Sequence, residues 1–265
     1  MAIAAHDNLK QYGNSEKLAA RARLVRKYTI SDIGWFPWIA DQLPFKRGDL
    51  ILDIGCGPGW FWSSTSDKLP EQLDLTLCDL SAGMVQEAIE RCEALPFKSV
   101  GGQRADAAAL PFADNTFDAV IAMHMLYHVP NPAEAIAEMY RVLKPGGFLA
   151  VTTNGMGDMQ KIYQLATVFG SPPHNPTAAI FGFDHANRLI QTQFGNVTMA
   201  VHPSQLRVTD PEDVFMALTS YPPGDEANDT QLGDLRAALA KAFEAGNGVL
   251  ETEKQFGLFT SVKNE

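Results

Sequence analysis

Three glycines and one aspartate have the types and the spacing needed to bind a nucleoside. Residues 52–59 read LDIGCGPG, so an apolar run is followed at alternate positions by Gly55, Gly57 and Gly59. Glycine has no Cβ, which lets a ligand lie against the backbone where a strand ends and a helix begins. Asp79 ends the next apolar run, and its carboxylate can accept hydrogen bonds from both hydroxyls of a ribose. The pattern predicts a nucleoside-containing cofactor.

The spacing of the glycines distinguishes between two kinds of cofactor. A dinucleotide site has the pattern G-x-G-x-x-G. In this chain the third glycine comes one position early, and Trp60 stands at the sixth position, where its indole would crowd a pyrophosphate. The pattern G-x-G-x-G therefore disfavours an NAD(P)-dependent oxidoreductase. The alternative without any ligand is a tight turn at 55–59 with Asp79 as a helix cap.

The glycine pattern resembles the first motif of class I S-adenosylmethionine-dependent methyltransferases. Further segments are similar to the family's motifs and span about 100 residues: DLS at 79–81, RADA at 104–107, LPF at 110–112, FDAV at 117–120, LYHV at 126–129 and RVLKPGG at 141–147. The layout is most similar to the small-molecule branch that includes quinone C-methyltransferases.

The resemblance implies S-adenosyl-L-methionine as the cofactor and assigns roles to several residues. Asp53 would steady the glycine turn and hold the amino group of the cofactor, from which the Gly55 carbonyl could also accept. Asp106 would accept from the adenine amino group, and the Ala107 amide would face the ring. The predicted cofactor-binding residues are Asp53, Gly55, Cys56, Gly57, Gly59, Asp79, Leu80, Asp106, Ala107 and Met123.

His124 follows the fourth predicted strand and is the candidate catalytic residue. Methyl transfer is an in-line displacement that depends mainly on positioning and on the exclusion of water. A general base is optional, and histidine titrates close to neutral pH, which suits that role. The alternative is that His124 is a wall residue and that His128 closes the loop by hydrogen bonding. No metal is expected, because no glutamate accompanies this histidine pair.

Aromatic residues on both sides of the glycine motif are candidates for the acceptor pocket. A cluster before the first strand could cover the cofactor and enclose an aromatic or cationic acceptor, although such residues also form cores. The predicted pocket residues are Tyr12, Trp35, Trp38, Tyr127 and Phe181.

Short apolar runs alternate with amphipathic ones from about residue 48 to 153, which is typical of βαβ units. This alternation predicts an α/β fold: a Rossmann-like, mostly parallel sheet with helices on both faces, an antiparallel last strand and helical lid additions. The predicted strands are 50–54, 73–78, 99–105, 117–123, 148–152 and, last, 256–263, with one further extended stretch at 197–208. A single domain is expected, divided into an N-terminal helical lid at 1–47, a cofactor-binding core at 48–153 and an acceptor side at 154–265.

Composition limits the partners. The 265-residue chain has 21 Lys and Arg against 31 Asp and Glu, a net charge of −10, which disfavours nucleic acid. No apolar run approaches the roughly 18 residues of a membrane span. The three cysteines form no CxxC pair, which favours a reducing compartment, and the expected location is the cytoplasm.

The predicted function is methyl transfer from S-adenosylmethionine to a small apolar or aromatic molecule. The alternatives are a non-catalytic module that binds S-adenosylmethionine and, less favoured by the glycine spacing, the oxidoreductase.

Overall fold

Apolar runs of five to seven residues become the central strands of the fold. A computed structural model describes residues 23–264 of the protein. Its strands are β1 (Thr29–Ile30), β2 (Leu50–Ile54), β3 (Asp74–Asp79), β4 (Ser99–Arg104), β5 (Phe117–Met123), β6 (Leu143–Asn154), β7 (Thr198–Val201), β8 (Gln205–Val208), β9 (Leu250–Glu253) and β10 (Phe256–Val262).

Helices connect most of these strands. They are α1 (Trp35–Ala40), α2 (Trp60–Thr65), α3 (Ala82–Cys92), α4 (Pro132–Val142), α5 (Gln160–Leu165), α6 (Pro176–Phe181), α7 (Phe183–Phe194), α8 (Pro211–Leu218) and α9 (Asp229–Ala245), and residues 23–28 are also helical. Ser81 caps α3, where its hydroxyl accepts from the Met84 amide. Within residues 23–264, no helix has the length and apolarity that crossing a membrane requires.

The main sheet has the strand order β4-β3-β2-β5-β6-β10-β7. Neighbouring strands from β4 to β6 are parallel, whereas β10 is antiparallel to both β6 and β7. Alternate residues of the central strands pack into two separate apolar clusters, one on each face of the sheet. The predicted fold class is therefore confirmed. The antiparallel last strand, β10, lies between β6 and the edge strand β7.

A second, three-stranded sheet with the order β1-β8-β9 was not predicted. The stretch 197–208 was predicted as one extended segment, and this is wrong because it divides into β7 in the main sheet and β8 in the small one. Pro203 lies between them and has no amide hydrogen to continue a ladder. The division thus separates the edge of the main sheet from a smaller sheet that has its own apolar cluster.

The small sheet joins the N-terminal part of the described chain to the C-terminal part. β1 pairs with β8 at Thr29 and Leu206. The carboxylate of Asp213 in α8 accepts from Lys27 Nζ at 2.5 Å and from Tyr28 Oη at 2.7 Å. Two distant parts of the chain therefore form one connected layer. The division of the chain into lid, core and acceptor side stays a prediction.

Candidate active site

The loop between β2 and α2 has the left-handed backbone that its glycines predict. The φ angles are 72° at Gly55, 51° at Gly57 and 73° at Gly59, a region in which other residues are strained. The amides of Gly55 and Cys56 donate to the Cys78 carbonyl of β3 at 2.7 and 3.0 Å. The loop is thereby fixed at the carboxyl ends of two parallel strands.

The three glycines meet different surroundings. A Cβ at Gly55 would lie 2.6 Å from the Met125 side chain, and one at Gly59 would lie 3.1 Å from Ala88 Cα of α3. A Cβ at Gly57 would meet no described atom within 4 Å. Gly55 and Gly59 are thus required by packing, whereas Gly57 lies beside open space that a ligand can fill.

The open space at Gly57 gives a prediction that separates binding from folding. Gly57→Ala should cost about 1–2 kcal/mol of stability through its left-handed φ, and it should also weaken S-adenosylhomocysteine binding about tenfold or more, because the methyl group occupies ligand space. Gly48→Ala is the matched control, since Gly48 also has a positive φ and open surroundings but precedes β2. Calorimetry and thermal melting measure both effects. Equal affinity in the two variants would contradict the prediction.

Asp53 is a buried carboxylate at the end of β2 with one oxygen unused. Its Oδ2 accepts from Trp62 Nε1 at 2.7 Å. Its Oδ1 has no hydrogen-bond partner among residues 23–264. Burial raises the pKa of Asp53 to about 7, the Trp62 hydrogen bond opposes that rise, and nearby Asp79 adds to it. The unused oxygen suits a cationic donor such as the amino group of S-adenosylmethionine.

This carboxyl predicts a pH dependence of cofactor binding. A pKa of about 7 for Asp53 leaves it mostly protonated at pH 6 and mostly ionised at pH 8. Because a cationic amino group binds the ionised form, the affinity for S-adenosylhomocysteine should rise about tenfold from pH 6 to pH 8. The stability of the ligand-free protein should change in the opposite direction. Because the pKa of Asp53 is raised in the folded state, its contribution to stability is present at low pH and is lost as the pH rises through about 7.

Asp53→Asn is the control for that prediction, because it keeps the shape of the side chain but does not titrate. Calorimetry of the wild type and Asp53→Asn across this pH range measures the effect. A wild-type affinity that does not change with pH would separate Asp53 from the cofactor.

Asp79 ends β3 next to the glycine loop. Its Oδ2 accepts from the Gly57 amide at 3.1 Å and its Oδ1 from the Ser81 amide at 2.9 Å. Burial raises the pKa of this carboxyl, while the backbone donors oppose the rise. Each carboxylate oxygen can accept a second hydrogen bond, so two ribose hydroxyls can still be bound. The side chain of the following Leu80 is 37% exposed, an apolar surface beside this carboxylate.

The remaining predicted cofactor residues lie along the same edge of the sheet. Asp106 follows β4 and is exposed, with its Oδ1 accepting from the Ala108 amide at 2.9 Å, and the adjacent Ala107 is buried. Met123 ends β5 and is half-buried. Cys56 is half-buried in the glycine loop, where burial raises its thiol pKa, so it stays uncharged. The strand order places these ends side by side, but their contact with a cofactor stays a prediction.

His124 occupies the residue after β5 with a left-handed backbone, φ 51°, which is uncommon for a residue with a side chain. Its amide donates to the carbonyl and the hydroxyl of Thr152 at 3.1 and 3.0 Å. Its Nε2 is buried and has no hydrogen-bond partner in the described part of the chain. Burial, together with the charge of Lys254, lowers the pKa of His124 to about 3. The imidazole is therefore neutral, with one nitrogen available to an acceptor.

Aromatic rings pack against one side of the His124 imidazole. The Trp35 ring lies 5.6 Å and the Phe256 ring 4.8 Å from the imidazole, and Trp38 stacks on Trp35 at 5.5 Å. The ring of His202 packs against Trp35 and Trp38 of α1 at 5.4 and 5.2 Å, and its Nε2 lies 2.8 Å from the Ile33 carbonyl just before that helix. The two predicted tryptophans are thus brought to the candidate catalytic residue, whereas Phe256 and His202 were not predicted.

The other predicted acceptor residues are placed differently. Tyr127 is 6.5 Å from the His124 ring and borders a cavity of about 140 Å³ together with His128 and His185. Phe181 is fully buried in the core beneath the sheet. Tyr12 lies outside the described residues. Among residues 23–264, no three His, Cys, Asp or Glu side chains are grouped as metal ligands would be.

Lys254 and Asp158 are charged residues near His124 that the sequence did not single out. They lie in turns next to β10 and after β6, where charged residues are usually solvated. No local signal could have found them, because their pairing and burial depend on long-range contacts between β6, β9 and β10.

Comparison with known proteins identifies the central segment. Residues 52–151 match a family described as "Methyltransferase domain". This confirms the resemblance to class I S-adenosylmethionine-dependent methyltransferases for the part of the chain that carries the glycine motif, Asp79 and His124. The matched segment ends before the residues at 154–265 that are predicted to form the acceptor side.

Individual relatives extend the comparison. The chain is 35% identical over 149 residues to a demethylmenaquinone methyltransferase of Beutenbergia cavernae, covering 56% of this chain and 52% of that protein. It is 34% identical over 156 residues to the ubiquinone/menaquinone biosynthesis C-methyltransferase UbiE of Haemophilus ducreyi, covering 58% and 54%. The chain thus spans about half the length of these curated relatives.

Among solved structures, phosphoethanolamine N-methyltransferase 2 of Haemonchus contortus, in complex with S-adenosyl-L-methionine, superposes with a TM-score of 0.59. The sequence identity is 19%, and the match covers 99% of this chain and 60% of that one. This likeness shows a shared fold.

Proposed function

We propose that this protein is an S-adenosylmethionine-dependent methyltransferase acting on a small apolar or aromatic molecule. The observation that carries the proposal is the convergence of Asp53, Gly57 and Asp79 at one edge of the sheet. An open backbone, a carboxylate with free acceptor capacity and a buried carboxylate with an unused oxygen match a phosphate-free nucleoside with an amino group. The methyltransferase domain match at 52–151 supports the same conclusion.

Different residues of the chain would bind different parts of the cofactor. When bound, the cofactor supplies a methyl group on a positively charged sulfur. Asp79 accepts from the ribose hydroxyls, the loop at Gly57 faces the nucleoside, and Asp53 holds the amino group. Leu80 and Ala107 offer apolar surface to the adenine, with Asp106 accepting from its amino group. A cofactor held in this way would lie at the edge of the sheet that also carries His124, the residue after β5, and would supply its methyl group there.

On the acceptor side, aromatic residues exclude water and His124 orients the acceptor. A base with a pKa of about 3 takes up a proton weakly at neutral pH, so a hydrogen bond from Nε2 to the acceptor oxygen fits His124 better than full proton abstraction. Trp35 and Phe256, whose ring centroids lie 4.9 Å apart, would add apolar aromatic surface beside His124 for an aromatic acceptor. The relatives named as demethylmenaquinone methyltransferases support a quinone-type ring as the acceptor.

Two measurements test the proposal. Titration calorimetry should detect saturable binding of S-adenosylmethionine and of S-adenosylhomocysteine to the folded protein. Incubation with S-adenosylmethionine carrying a labelled methyl group and a panel of reduced quinones should yield labelled product, detected by mass spectrometry. Absence of cofactor binding would overturn the proposal. Binding without transfer to any acceptor would instead favour a non-catalytic binding module.

A cytoplasmic location is part of the proposal. Three free cysteines, two of them buried, support a reducing environment. Cell fractionation followed by immunodetection tests it, and recovery outside the cytoplasmic fraction would contradict it.

A further inference from the structure

A buried ion pair lies at the same edge of the sheet as His124. Lys254, in the turn between β9 and β10, and Asp158, in the turn after β6, are joined by a 2.8 Å contact between Nζ and Oδ1. Both side chains are 1% exposed. Both residues lie outside the segment 52–151 that matches the methyltransferase domain, so the matched family segment does not account for them.

Asp158 is held firmly from several sides. Its Oδ1 also accepts from the Gln255 amide at 3.0 Å, and its Oδ2 accepts from Asn175 Nδ2 at 3.0 Å. Removing two charges from water costs several kcal/mol per ion, so a buried pair is weak support for stability alone. A fixed carboxylate that holds an ammonium in the interior instead gives that ammonium a defined position.

The ammonium of Lys254 faces the aromatic residues at His124. Its Nζ lies 3.6 Å from the centroid of the Phe256 ring, and that ring is 4.8 Å from the His124 imidazole. In the described part of the chain, the ammonium makes one hydrogen bond, to Asp158, out of the three that it can donate. Burial and the charge of Lys254 both lower the pKa of His124 and of His202, and the carboxylate of Asp158 interacts with the ammonium as the opposite charge.

From this placement we infer that Lys254 is a specificity-determining residue that selects an acceptor bearing an acidic hydroxyl, bound as its oxyanion. The inference rests on the proposed function and deepens it. An ammonium already fills the cation site over Phe256, so a protonated amine would be repelled, whereas an oxyanion beside His124 would be stabilised. Asp158 is the positioning residue that keeps the ammonium there.

The proton and electron balance of the step is simple. The acceptor hydroxyl releases its proton to solvent on binding. An electron pair of the oxyanion, on oxygen or on a conjugated ring carbon, forms the new bond to the methyl carbon. When the bond forms at carbon, the hydrogen on that carbon then leaves as a proton to solvent and the oxygen takes up a proton, which restores the aromatic ring. The carbon–sulfur bond breaks with its electron pair remaining on sulfur, which removes the positive charge of the sulfonium. Burial lowers the pKa of Lys254, and the carboxylate of Asp158 opposes that fall. Lys254 neither gives up nor takes up a proton in this step.

A coloured phenol provides a direct test. 4-Nitrophenol, whose ionised form absorbs visible light, is titrated with pH in the presence of protein saturated with S-adenosylhomocysteine. The pKa of the bound dye should fall about one unit or more below that of the free dye, because an opposite charge within about 4–6 Å favours the ionised form. Benzylamine, which is cationic at neutral pH, should not displace the dye.

Variants assign the shift to Lys254. Lys254→Met alone would leave Asp158 buried and unpaired, so the test uses Lys254→Met combined with Asp158→Asn, which removes both charges. This variant should bind the dye without the pKa shift, and Lys254→Arg should keep the shift. Lys98→Met is the control, because Lys98 pairs with Asp74 on the surface at the amino ends of β3 and β4.

The outcomes separate the inference from the proposed function. Affinity for S-adenosylhomocysteine is measured first in each variant, together with the melting temperature. Failure of the wild type to bind S-adenosylhomocysteine overturns the proposed function. If cofactor binding is intact, any one of three results overturns the Lys254 inference. These are an unchanged shift of the dye pKa in the double variant, no saturable dye binding to the wild type, and displacement of the dye by benzylamine.

Discussion

His124→Ala should lower the turnover number for methyl transfer about 10²- to 10³-fold, the effect of removing one preorganised hydrogen-bonding group from a reacting oxygen. Affinity for S-adenosylhomocysteine should change little, because the imidazole lies on the acceptor side next to Trp35 and Phe256. Single-turnover kinetics with a reduced quinone measures the effect. Because the pKa of His124 is about 3, the rate should show no loss between pH 7 and pH 5 from protonation of this imidazole.

His124→Asn is the matched variant for the backbone. Asparagine tolerates the left-handed conformation better than most residues, so it keeps the φ of 51° while removing the imidazole. A slow rate in both variants assigns the effect to the ring. A near-native rate in either one would make His124 a wall residue.

Asp79→Ala is the substitution with the second large expected effect, a loss of about 1.5–3 kcal/mol in cofactor binding, the range for hydrogen bonds to a charged group. This corresponds to an affinity for S-adenosylhomocysteine that is weaker by about 10- to 150-fold. The carboxylate also binds the amides of Gly57 and Ser81, so its removal loosens the loop that faces the ligand. Calorimetry measures the affinity, and thermal melting measures the cost to the fold.

Asp74→Ala provides the comparison, because Asp74 begins the same strand that Asp79 ends and pairs with Lys98 away from the glycine loop. Its affinity for the cofactor should equal that of the wild type. If Asp79→Ala also bound normally, Asp79 would be removed from the proposed site.

The cofactor half of the protein could be predicted because its signals are local. Leu50–Ile54 and Phe117–Met123 are apolar runs bounded by turn residues, and both form strands as predicted. Asp79 and the glycines stand at the ends of such runs, and the carboxyl ends of neighbouring parallel strands always share one edge of the sheet. Periodicity and topology together therefore place these residues near each other without further information.

The small sheet and the buried ion pair could not be predicted in the same way. β1 has two residues, and β8 and β9 have four each. Strands of this length are too short to show the alternation of apolar and polar residues from which a strand is predicted. The pair Lys254–Asp158 connects residues 96 positions apart. Burial of a lysine depends on what the rest of the chain packs over it, and that is a property of the tertiary structure rather than of any sequence window.

The pairing of β1 with β8, and the hydrogen bonds from Lys27 and Tyr28 to Asp213, have a consequence for chimeric proteins. The segment before the glycine motif and the segment after β6 form one continuous layer, although the hydrogen-bonded residues Tyr28 and Asp213 are 185 positions apart in the chain. If only one of the two segments came from a relative, its residues would not match their partners in the other segment, as Lys27 and Tyr28 match Asp213 here. We expect acceptor preference to be transplanted between relatives when both segments are exchanged together on an unchanged core.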